Sequence, residues 1–174
     1  MIVKSRLDPL LLLYLKENIA AAECYALICR ILHFWDDLID RDKLVSQMEI
    51  NVGMFNSLIE LPSNKFYRDN QSSLQPVLVN AIANWQTANE FESNGVKKEL
   101  ELAFVIRSDY CNILIQMAYI VGGHDWVMEI TPKIRANWTD EDFAMYLDGL
   151  ELEKVLRSKN VSAETIADVE AIAR

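Results

Sequence analysis

The stretch Glu23–Asp42, ECYALICRILHFWDDLIDRD, decides how the rest of the chain is read. At about 100° per residue, Leu27, Ile28, Ile31, Leu32, Trp35, Leu38 and Ile39 fall on one broad arc. Glu23, Arg30, His33, Asp36, Asp37, Asp40 and Arg41 fall on the other. This is an amphipathic helix whose apolar stripe needs further helices to cover it. Its polar arc carries Asp36, Asp37 and Asp40 at DDxxD spacing. Asp36 and Asp40 lie one turn apart on the same face. Their repulsion must be relieved by a cation, an arginine or water. Mg²⁺ takes one or two carboxylates and fills its shell with waters or phosphate oxygens, so the spacing suits a metal presented to a diphosphate. It equally suits a solvated face, neutralised by Arg30 and Arg41 in exposed pairs worth roughly 0–1 kcal/mol each.

Around this helix the composition is that of an ordinary globular chain. Of 174 residues, 51% are apolar and 25% charged, which excludes disorder and sets the expectation of one domain over 1–174. The net charge of −9 and pI of about 4.7 disfavour nucleic acid as a partner. Lys4 and Arg6 precede LLLYL, but Lys16-Glu17 ends that apolar run before it reaches signal-peptide length, and no run is long enough to span a membrane. The three cysteines, Cys24, Cys29 and Cys111, sit in apolar helical segments and are expected to be reduced thiols of a cytoplasmic protein. Two histidines, His33 and His124, are too few for a His-rich zinc site.

The pattern is helical nearly throughout, so the fold class expected is all-α, a single-domain helical bundle. Asp8-Pro9 opens a first helix that runs at least to Leu15 and either continues or bends near Asn18. Ser46-Gln47-Met48-Glu49 is a capping-box signature opening a helix that ends near Leu61-Pro62. Residues 63–73 are polar without a period and read as a loop, with Lys65 and Arg68 as candidate anion contacts and Phe66 and Tyr67 as core anchors. The next helix covers about 74–93 and stops at Asn94-Gly95. Val77, Ala81, Trp85 and Ala88 mark its apolar face, while Asn80, Asn84 and Thr87 form a polar row expected to meet solvent or cap a neighbour. Val96–Val121 reads as one long helix ended by Gly122-Gly123, with Arg107 placed to bind phosphate or to pair with Asp109 or the DDxxD group. Asp125 begins a further piece interrupted or bent at Pro132. Thr139-Asp140-Glu141-Asp142 caps a helix to about Lys159, and Ser162 caps a last short one.

Tyr25-Ala26, Cys29-Arg30 and Asp36-Asp37-Leu38-Ile39-Asp40 stand in the order seen in the first aspartate-rich region of class I isoprenoid synthases, and residues 22–42 resemble squalene and phytoene synthases in particular. The resemblance implies a fold that is terpenoid-synthase-like in part. It implies Asp36, Asp37 and Asp40 as ligands of Mg²⁺ that binds a substrate diphosphate. Tyr110-Cys111 resembles a later motif of the family, although Leu114-Ile115-Gln116 stands where Val-Ala-Gly would follow. A second aspartate-rich motif is absent. Asn84 and Glu92 occupy the first and last positions of an Asn/Ser/Glu variant whose middle position is Ala88, which makes them, with Arg107, the candidate diphosphate-site residues.

Three readings follow. The first is a Mg²⁺–diphosphate site of isoprenoid-synthase type, in an active or degenerate relative. It requires the DDxxD helix to face a cavity lined also by residues 80–92 or 107–116. The second is a non-enzymatic, oligomeric helical scaffold or accessory protein, whose acidic face is exposed and convex. The third is an all-α nucleotide pyrophosphohydrolase, with Glu17, Glu23, Glu90 and Glu92 clustered beside the aspartates. No Glu-x-x-His pair supports a di-iron bundle. No serine or cysteine stands in a recognisable nucleophile turn.

Overall fold

The computed structural model describes residues 7–40, 43–137 and 142–151. Among them every regular element is helical. Asp8 caps α1 (Pro9–Tyr14) by accepting from the Leu10 amide at 2.8 Å, with Pro9 in the first turn. The chain then reverses through Lys16 and Glu17, both in the left-handed region at φ 49° and 59°. Asn18 caps α2 (Ile19–Asp40) by accepting from the Ala21 amide at 3.0 Å. The bend near Asn18 is therefore a full break.

Ser46 opens α3 (Gln47–Phe55) with the capping box that its sequence indicates. The Ser46 hydroxyl accepts from the Glu49 amide, and the Glu49 carboxylate accepts from the Ser46 amide at 2.7 Å. A π-helical turn, Asn56–Glu60, carries the chain into α4 (Leu61–Ser63). This arm runs antiparallel to α2, since Gly53 lies on Phe34 and the Asn64 side-chain amide donates to the Ala20 carbonyl at 3.2 Å.

Residues 63–73 are not a loop. Asn64 caps α5 (Lys65–Asn94) by accepting from the Tyr67 amide at 3.0 Å. Phe66 and Leu74 are buried while Lys65, Arg68 and Asp69 face water. The apolar period was hidden because Phe66 and Leu74 are two turns apart, with a kink at Asn70 (φ −124°, ψ 16°) between them. Gly95, at φ 68°, closes α5 in the left-handed conformation that glycine adopts without Cβ strain.

The segment Val96–Val121 is likewise not one helix. α6 (Lys97–Arg107) returns antiparallel along α5, a 3₁₀ turn at Ser108–Tyr110 redirects the chain, and α7 (Cys111–Asn137) follows. Gly123, at φ 75° and ψ −170°, breaks α7. Its second part folds back so that Arg135 donates to Asn112 at 2.6 Å. Pro132 lies within that part and the chain stays helical to Asn137. Asp142 accepts from the Met145 amide at 2.9 Å and caps a last described helix, α8, at 143–151. Thr139, Asp140, Glu141, residues 152–159 and the Ser162 helix lie outside the described residues.

The main core joins α1, α2, α5 and both parts of α7, with Leu15, Ile28, Leu74, Ile113, Leu114, Met117, Ile130 and Ile134 almost fully buried. The Trp126 indole N–H donates to the Tyr14 carbonyl at 2.9 Å and ties α7 to α1. A smaller cluster of Ala88, Ala103, Tyr146 and Leu150 joins α5, α6 and α8. Among the described residues no helix is long and apolar enough to cross a membrane.

Gly53 sets how closely α3 approaches α2. A Cβ there would stand 2.3 Å from the Phe34 ring, so the side chain and the arm cannot both hold their places. Gly53→Leu is expected to destabilise the protein by about 1–3 kcal/mol through overpacking, read as a lowered urea midpoint. An unchanged midpoint would show that the α2–α3 contact carries no stability.

Candidate functional site

The stretch of α2 from Cys29 to Asp36 meets α5 and α6 at a cavity of about 200 Å³. Its lining comes from Cys29, Leu32, His33, Trp35 and Asp36 of α2, Ala81 and Trp85 of α5, and Arg107 and Tyr110 at the α6 end and the 3₁₀ turn. Trp35 and Trp85 form one wall, with ring centroids 4.2 Å apart and planes at 41°. Asp36 stands at the polar end. Its Oδ1 accepts from the Trp85 indole N–H at 2.7 Å and lies 3.7 Å from Arg107 Nη1. The DDxxD helix thus contributes one aspartate to a concave surface shared with residues 81–85 and 107–110. Asp37 is half-buried and pairs with Lys43 at 2.6 Å. The side chain of Asp40 lies outside the described residues.

Arg107 does more than face the cavity. Its Nε and Nη2 donate to the two oxygens of Glu92 as a fork, the second at 2.5 Å, and Nη2 also donates to Asn89 at 2.7 Å. The Tyr146 hydroxyl donates to Glu92 as well. Glu92 is the sole charged side chain among the buried described residues. It meets the requirement that a buried charge be paired and hydrogen-bonded. Burial, then the bond to Glu92, pushes the Tyr146 hydroxyl well above its ordinary pKa. α5, α6 and α8 are fastened together behind the cavity by this knot, and Arg107 extends it to Asp36 on α2.

Asn84 takes a different partner. It is half-buried and donates to Asp109 at 2.7 Å, and Asp109 also pairs with Arg135 at 3.4 Å. The structure therefore brings Asp36, Glu92 and Arg107 together and sends Asn84 into a second network with α7. Lys65 pairs with Asp69 on the outer surface, and neither Lys65 nor Arg68 lines the cavity. Glu17, Glu23 and Glu90 are exposed. Sequence reasoning missed Trp35, Trp85 and Tyr110 as cavity walls. Trp85 had been placed on an apolar face, and nothing in its spacing separates a core tryptophan from one beside a void. Tyr146 was missed entirely as the third partner of Glu92.

Among the described residues no three His, Cys, Asp or Glu side chains converge as a metal cluster. Both described contacts of Asp36 fall on Oδ1. Cys29, on the cavity wall, has its thiol pushed up to about 11 by burial, against the opposing effects of the Tyr25 hydroxyl and Arg30. Burial alone pushes Cys24 up to about 12. These thiols are therefore poor nucleophiles near neutral pH.

Two outcomes are expected. Removing one partner of the Glu92–Arg107 pair leaves a buried charge unmet, so Arg107→Ala is expected to cost about 3 kcal/mol. Glu92→Ala/Arg107→Ala together should cost less than the sum of the two single changes in a denaturation double-mutant cycle. The folded state holds the Cys24 and Cys29 protons more tightly than the unfolded chain does, a contribution fully present below the ordinary thiol pKa and lost as pH rises through the folded values. The urea midpoint is expected to fall from about pH 9 upward, and Cys29→Ala should flatten that fall. No protein-family model matches this chain, and no curated protein or solved structure is significantly similar to it.

Proposed function

We propose that this protein binds a small diphosphate ester with a short apolar tail in the cavity between α2, α5 and α6. The single observation that carries the reading is the position of Asp36. It stands in the wall of a cavity, beside Arg107 and at the edge of the Trp35–Trp85 pair, and not on a convex surface. A ligand site of this kind combines apolar walls with a few convergent polar groups. At about 200 Å³ the space admits a short branched hydrocarbon and not a long polyprenyl chain.

In this reading Asp36 holds Mg²⁺ with waters and phosphate oxygens completing its shell, and the ion supplies the positive charge that the diphosphate needs. Arg107 contributes a further cationic edge through Nη1, while Glu92 fixes the plane of its guanidinium. Trp35, Trp85 and Leu32 cover the tail. The ligand class and the ion come from the resemblance of residues 22–42 to class I isoprenoid synthases. The function proposed is binding, in a degenerate relative. Glu92 and Asn84, the candidate second ligands, are engaged by Arg107 and by Asp109 respectively.

Titration calorimetry tests this directly. Heat is expected when Mg²⁺ and inorganic diphosphate are both present, and neither alone should give it. Asp36→Asn is expected to abolish the signal. A five-carbon allylic diphosphate should bind more tightly than inorganic diphosphate, with the difference lost in Trp85→Ala. Absence of heat in the unmodified protein with both components would overturn the proposal.

A further inference from the structure

Five of the nine residues of α3 are large and apolar (Met48, Ile50, Val52, Met54 and Phe55), yet only Gly53 of α3 is buried. Apolar side chains in that proportion are normally covered by a neighbouring element. Gly53 and Ser57 mark the side turned to α2. On the other side Met48, Val52, Phe55 and Ile59 follow one another at intervals of four, three and four residues. Their exposures are 76%, 52%, 50% and 50%. That interval is the a/d spacing by which one helix packs its side chains into the holes of another. Leu44 and Leu58, at 68% and 63%, flank the row.

We propose that this row is a homodimer interface, with the α3 arm of a second copy packed against it across a two-fold axis. Three observations favour a second copy. The six side chains present apolar area on the order of 700 Å², above the ~300–600 Å² of the largest patch on a typical monomer and close to the ~800 Å² each partner gives a standard stable interface. The spacing is that of a helix seam, which an identical helix meets with the same row in an isologous contact. The charges near the row are Glu49, Glu60 and Lys43, the last paired with Asp37, within a chain of net charge −9, a balance that opposes seating on an anionic lipid surface. None of these side chains lines the α2–α5–α6 cavity, so the dimer does not depend on the ligand reading.

Sedimentation equilibrium across the micromolar range is the test. The unmodified chain is expected to approach twice its 20.0 kDa mass. Val52→Glu and Phe55→Glu, made separately, are expected to weaken association on the order of 100-fold. Their far-UV circular dichroism should be unchanged, because both side chains point outward. Met48→Lys provides a third variant should either glutamate disturb the helix. A monomer at all concentrations, or a dimer that survives all three changes, would overturn the proposal. So would a monomer that floats with neutral phosphatidylcholine vesicles, which would assign the row to lipid.

Discussion

The architecture around the cavity depends on one buried carboxylate. Glu92 on α5 has given up water, and the cost of leaving it unpaired amounts to several kcal/mol. The chain meets that demand with two groups from distant positions, the Arg107 fork and the Tyr146 hydroxyl. Satisfying Glu92 therefore fixes α6 and α8 against α5 at one level. It also fixes the roll of the guanidinium, leaving Nη1 toward α2 and Asp36. An apolar contact would have held these helices without specifying their register. The bidentate bond specifies both distance and plane.

The second network repeats this logic at the surface. Asp109 sits on the 3₁₀ turn between α6 and α7, accepts from Asn84 on α5, and pairs with Arg135 on the returning part of α7. The turn is held from both sides, so Tyr110 is presented to the cavity from a fixed backbone. Cavity walls thus come from three elements held by ion pairs, and the cavity borders the main core directly, since Ala81 belongs to that core and also lines the cavity. The helix carrying the aspartates buries Ala21, Ala22, Cys24, Tyr25 and Ile28 in that core, and its next two turns line the cavity with Leu32, Trp35 and Asp36.

The all-helical class was legible from period alone, and the starts of α1 and α3 from their caps, because Asp8-Pro9 and Ser46-x-x-Glu49 are local chemistry. So was the stop at Gly95, which needs only one left-handed residue. The start of α5 was not, because a helix buried through only Phe66 and Leu74 in its first turns shows no stripe. Nor was the 3₁₀ turn at Ser108–Tyr110, where the apolar pattern runs on and the break is enforced by partners of Asp109 on other helices. At the site, spacing singled out Asp36 and marked Arg107 for a carboxylate. It offered Asp109 and the DDxxD group as partners and not Glu92, because 15 residues and a reversal separate Glu92 from Arg107. A contact set by the return path of a hairpin leaves no mark on either helix's own period.

The Trp35–Trp85 pair has an optical consequence. Two indoles with centroids 4.2 Å apart and planes inclined at 41° are close and skewed enough for their transition dipoles to couple. Coupled chromophores in a chiral arrangement give circular dichroism bands of opposite sign, where isolated indoles give weak ones. One member of the pair bonds Asp36 through its indole N–H, and the other neighbours Asp36 in sequence. A change in the carboxylate's partners would alter the angle between the rings, so the cavity carries its own chromophore, readable without a label.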